Sequence, residues 1–96
     1  MELDIIIINA SHFTSKKDGN IYNTINFILV NKDGYIDTEK FKGYSVSMTF
    51  VKKNELKNLP ILENIKGVFD EEQRGLHKNL VLRSIKTKDG KVIDLV

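Results

Sequence analysis

The chain has no cysteine, a single proline at Pro60, and only two histidines, His12 and His77, among its 96 residues. Without cysteine there are no disulfides and no cysteine-ligated zinc, and two histidines are too few for a histidine-rich metal site; no metal or other cofactor is expected. Long apolar runs are also missing. The tetrad Ile5–Ile8 is far too short for a membrane span, and it follows Glu2 and Asp4, whose charge does not suit a secretory signal, so a cytoplasmic protein with no membrane partner is expected. An excess of one charge is lacking too. With 15 basic and 13 acidic residues the net charge is +2, and any affinity for nucleic acid has to come from where the cations are placed. No nucleophile-base pair, carboxylate pair or phosphate loop is visible, and neither histidine has a motif around it, so an enzyme is not expected.

Hydrophobic residues make up 41% and charged residues 29%, the balance of a chain that folds. Linkers, low-complexity stretches and repeats of domain length are absent, so residues 1–96 read as one domain with one core. What recurs is a tripeptide. Lys-Asp-Gly stands at Lys17-Asp18-Gly19, Lys32-Asp33-Gly34 and Lys88-Asp89-Gly90, each time between segments rich in β-branched and aromatic residues. Asp tolerates the left-handed backbone region and Gly enters it freely, so each copy reads as a tight turn between antiparallel strands.

Strands are expected near 3–14, 20–31, 44–51, 64–71 and 80–87, with a short last strand in 91–96 whose apolar residues pack. In the second strand Ile21, Ile25, Phe27 and Leu29 share the face expected to point inward, while Tyr22, Thr24 and Asn26 line the other. In Tyr44–Val51, the apolar residues Tyr44, Val46, Met48 and Phe50 alternate with Ser45, Ser47 and Thr49, which predicts one buried and one small polar face. Tyr35–Phe41 suggests a small hairpin extension. Asn54 is a candidate helix cap before Glu55, Leu56 and Leu59, giving one short helix over 52–59. Gln73–Asn79 reads as a turn around Gly75, and Asp70-Glu71-Glu72 as a solvated edge or loop, since three consecutive carboxylates on a strand cannot all face one way. The pattern is all-β. It predicts a small five-stranded Greek-key barrel of the OB type with one short helix, with an SH3-like barrel as the alternative architecture.

A binder of single-stranded nucleic acid needs exposed aromatics for stacking and cations for phosphates. Lys16, Lys17, Asn20 and Tyr22 cluster at the first turn, Thr24 follows on the same face as Tyr22, and Lys52, Lys53, Lys78 and Arg83 are further candidates. The alternatives stay open: Tyr22 as a cross-strand packing partner, Lys16-Lys17 as a solvated hairpin tip, and Lys52, Lys53 and Lys57 as the polar side of the short helix.

Phe13-Thr14, Lys16-Lys17, Gly19 and Tyr22, then Tyr44-Ser45-Val46-Ser47-Met48-Thr49-Phe50, then Leu80-Val81-Leu82-Arg83-Ser84-Ile85 resemble, in that order, the small OB-fold single-stranded DNA-binding proteins of filamentous phages and their relatives on plasmids and other mobile elements. The resemblance covers about the first 50 residues and then 75–87. It implies Lys16 and Lys17 on phosphates, Tyr22 under a base, Arg83 on the phosphate track, and a homodimer acting in replication or transfer. Val30 replaces the family's aromatic at the end of the second strand, and Thr49 its basic residue in the third. A different class of function is also open, a small protein-interaction module such as an inhibitor or adaptor that binds a host protein through its β surface or a sheet edge.

Overall fold

The computed structural model describes residues 1–30, 34–51 and 59–95. The chain is all-β: β1 (Glu2–Thr14), β2 (Ile21–Leu29), β3 (Tyr35–Asp37), β4 (Lys42–Tyr44), β5 (Ser47–Val51), β6 (Asn64–Arg74), β7 (His77–Lys86) and β8 (Val92–Asp94). Six strands form one sheet in the order β5-β2-β1-β6-β7-β8, and β3 and β4 form a separate hairpin. Every ladder between these strands is antiparallel, and an isolated parallel bridge joins Ile7 to Ile61. There is no helix among the described residues, and the helix expected over 52–59 lies, except for Leu59, outside them.

The first and third Asp-Gly turns join strands as their chemistry requires. Gly19 and Gly90 both have positive φ, 72° and 87°. At the first turn the Ser15 amide donates to the Asn20 carbonyl at 2.8 Å and closes a four-residue loop. Lys32 and Asp33 of the second copy lie outside the described residues. A hairpin does follow, but it reaches past the expected Tyr35–Phe41: β3 pairs with β4, which takes in Lys42–Tyr44, and Tyr35 and Tyr44 pack edge to face at 5.4 Å. The turn expected over 73–79 is much tighter. Gly75, with φ 62°, lets β6 run on to Arg74 and β7 begin at His77, so both strands are longer than their apolar runs suggested.

One face of the sheet carries the core. Ile5 and Ile7 of β1, Ile25 of β2 and Ile85 of β7 are fully buried there, and Phe27 of β2 meets Phe69 of β6 across β1 at 6.1 Å. The sheet is strongly curled. β5 and β7, with three strands between them, both line a groove of about 330 Å³, with Phe27 and Phe69 also in its lining. No ladder joins β5 to β7 among the described residues, so a closed barrel is not formed.

Three expectations, one about a strand and two about faces, are overturned. The expected strand 44–51 is divided, with Tyr44 in β4 and only Ser47–Val51 in the large sheet. Its apolar side is the exposed one: Val46, Met48 and Phe50 are 57%, 56% and 58% accessible, while Ser47 and Thr49 are half-buried and Val51 is buried. The cause is register, since Phe50 pairs with Thr24 and Met48 with Asn26, both on the side of β2 that faces away from the core. Ile21, expected inside, is 67% exposed, because it lies at the end of β2 beyond the last residue that pairs with β5.

Candidate nucleic-acid interface

The face opposite the core is built by the β1–β2 hairpin and β5. A bulge shapes it. Ile7 pairs with Phe27 and Asn9 with Asn26, leaving Ile8 as an extra residue in β1. Beyond it the faces of β1 are exchanged relative to strict alternation. Ala10 pairs with Ile25 on the core side, whereas Ser11 and Phe13 pair with Thr24 and Tyr22 on the outer side. Phe13, Tyr22 and Phe50, one from each of three adjacent strands, therefore form a row of rings. Their centroids are 5.8 Å apart for Phe13–Tyr22 and 6.0 Å for Tyr22–Phe50. Phe13 is 47% and Phe50 58% exposed, with Tyr22 partly covered between them.

The turn beside this row is held by Asp18. Its carboxylate accepts the Asn20 amide at 3.0 Å and the Tyr22 hydroxyl at 2.6 Å. The Tyr22 hydrogen bond, followed by that of Asn20, holds the Asp18 carboxyl below its ordinary pKa, and the same bond to Asp18 pushes the Tyr22 phenol above its own. Lys16 and Lys17 are exposed on this turn and form no ion pair among the described residues.

The cations toward the other end of the sheet are placed differently. Lys66 pairs with Asp4 at 2.6 Å, Lys86 with Glu2 at 2.8 Å and Arg83 with Asp70 at 2.6 Å. Hydrogen bonding and charge from Lys86 accordingly lower the Glu2 carboxyl. The sheet thus has an aromatic region beside unpaired lysines, and another where positive charge is matched by carboxylates.

Of the residues singled out from the sequence, Lys16, Lys17, Asn20 and Tyr22 come together at one turn. Thr24 is on the same side but buried, its hydroxyl within 3.3 Å of that of Ser11, so it underlies the surface rather than offering a contact. Arg83 is not part of the group, since β7 lies three strands from β2 and its guanidinium is engaged by Asp70. Lys52 and Lys53 lie outside the described residues. Phe50 was expected in the core and Phe13 was not assigned a stacking role, yet both belong to the row. Hairpin counting supplies the missed signal for Phe13: with Ser15 opposite Asn20, the residue facing Tyr22 is Phe13.

A second cleft, of about 350 Å³, lies beside the third turn between Pro60, Glu63, Thr87, Lys88, Asp89 and Lys91. Its charges are mixed and it holds no nucleophile-base pair. Among the described residues no cluster of His, Asp or Glu is arranged to hold a metal ion, and no helix is long and apolar enough to cross a membrane. Compared with known families, with curated proteins and with solved structures, the chain has no match.

Proposed function

We propose that the protein binds single-stranded DNA with little sequence preference, acting as a coat or protector in replication or transfer of a phage or mobile element. The observation that carries this reading is the row Phe13–Tyr22–Phe50, three contacting rings on an exposed sheet face beside the unpaired cations Lys16 and Lys17. Any base offers a π face, and stacking contributes about 1–3 kcal/mol per base, so such a surface tolerates all sequences. Lysines on phosphates release counterions and make affinity fall with salt, with a slope near −0.7 per phosphate on a single strand. We read the curled β5-β2-β1-β6-β7 sheet as an OB-type barrel left open between β5 and β7, in line with the resemblance to the phage proteins, which also implies a homodimer.

Fluorescence anisotropy with a labelled oligothymidine tests the proposal. Tyr22→Ala should weaken binding by about 1–3 kcal/mol at unchanged salt slope. Lys16→Ala with Lys17→Ala should flatten the slope by up to about 1.4. No binding at low salt and micromolar protein would reject the reading.

One observation favours the alternative, an interaction module for a host protein. Residues 44–51 contain no charge, β5 has a neighbour in the sheet on one side only among the described residues, and Met48 and Phe50 of β5, with Val46 just before it, are exposed. A partner strand adding to that edge would bury them.

A further inference from the structure

We propose that the exposed amide pair Asn9–Asn26 is a second subsite on the outer face, one that holds the Watson–Crick edge of any nucleobase; this deepens the single-stranded DNA reading above and rests on it. The bulge at Ile8 creates the pair. Strict alternation from the buried Ile7 would send Asn9 to the core side. The extra residue sets it instead opposite Asn26 on the outer side, where Met48 of β5 faces Asn26 in turn. The same displacement brings Phe13 to Tyr22, so one inserted residue places both the rings and the amides on one face. From the lysine turn the outer positions of β2 run Tyr22, Thr24, Asn26, and the amide pair lies about 13 Å beyond Tyr22. A strand held by Lys16 and Lys17 and stacked on the rings is led along the hairpin toward it.

The chemistry of the pair suits a binder that tolerates every sequence. Asn26 donates from Nδ2 to Oδ1 of Asn9 at 2.8 Å, in a bond exposed to solvent. That bond leaves the Asn26 oxygen and the Asn9 amino group with capacity to spare, an acceptor beside a donor. Each base also carries a donor beside an acceptor on its Watson–Crick edge. Adenine and cytosine have an exocyclic amino group next to a ring acceptor, whereas guanine and thymine have an exocyclic oxygen next to a ring N–H. Turning both amides over about their soft terminal torsions keeps the bond between them and exchanges the acceptor and donor left over, so one pair matches either order. A carboxylate at either position would only accept and an ammonium would only donate. Met48, exposed and polarisable, gives the held base an apolar neighbour.

Fluorescence anisotropy with three strands and one variant tests this: oligothymidine, oligodeoxycytidine, an oligothymidine methylated at N3 and so without its ring donor, and the protein carrying Asn9→Ala with Asn26→Ala. Wild-type protein should bind the thymidine and cytidine strands within about threefold of each other, and the methylated strand about threefold to tenfold more weakly, the range of one hydrogen bond. The variant should lose that same factor on oligothymidine, no longer distinguish the methylated strand, and keep the salt slope set by the lysines. Because the bond it lacks is exposed, it should unfold near the wild-type temperature. Equal wild-type affinity for oligothymidine and its methylated form would overturn the subsite while leaving single-stranded DNA binding intact, and that arm holds even if the variant fails to fold. Undiminished discrimination by a folded variant would overturn it as well. A preference above about tenfold between thymidine and cytidine strands would overturn the exchange of donor and acceptor. Absence of binding to any strand would overturn the subsite and the function together.

Discussion

Tyr22 does two things at once. Its ring joins Phe13 to Phe50, and its hydroxyl closes the first turn onto Asp18. Asp18 titrates below its ordinary value of 3.8 in the folded chain, so its contribution to the turn is present above that value and is lost as pH falls through the lowered folded pKa. Tyr22→Phe removes the largest cause, and a carboxyl NMR titration should show Asp18 moving up toward its ordinary value; an unchanged titration would mean that the bond is not formed in solution. The phenylalanines separate by burial. Phe27→Ala should cost about 3–5 kcal/mol in chemical denaturation, because the 5%-exposed ring packs against Phe69 in the core. Phe50→Ala, at 58% exposure, should cost less than about 1 kcal/mol and be felt in binding instead.

Among the strands, β1 and β6 depend on one close approach. Gly67 pairs with Leu3 on β1 and Ile85 on β7, and a Cβ placed on it would come within 2.9 Å of Leu82 and Phe69 and 3.0 Å of Ile5. The missing side chain is what lets those core residues converge over β6. Gly67→Ala should therefore destabilise by about 1–3 kcal/mol through overpacking, read as a lower denaturation midpoint at unchanged slope. A neutral result would mean that Leu82 and Ile5 move aside freely. The β6–β7 hairpin also carries a second bulge: Val68 faces Ser84 and Phe69 faces Leu82, leaving Arg83 as the extra residue. Its ion pair with Asp70 is exposed, so Arg83→Ala should change stability by less than about 1 kcal/mol.

Across the whole molecule the sheet has a protected centre and two open margins. β1 and β6 are bonded on both sides within it, whereas β5 and β8 form its edges and β3–β4 stands apart as an exposed two-stranded hairpin. Amide exchange should be slowest in Ile5–Ile7 and Ile65–Phe69 and fastest in β3–β4. Slow exchange in β3–β4 would show that this hairpin docks on a surface in solution.

Much of this architecture was legible in the residues themselves. The Asp-Gly turns and alternating runs specify antiparallel strands because positive φ and a period of two are local properties of the chain, and β1, β2, the β3–β4 hairpin and β8 follow from them. Alternation distinguishes two faces of a strand, but which face meets the core depends on the neighbour's register. Pairing with β2 turned Phe50 and Met48 of β5 outward, and one extra residue at Ile8 moved Phe13 to the side of Tyr22. The lysine turn beside Tyr22 was therefore readable from sequence, while the ring row was decided only when three strands, distant along the chain, were brought into register.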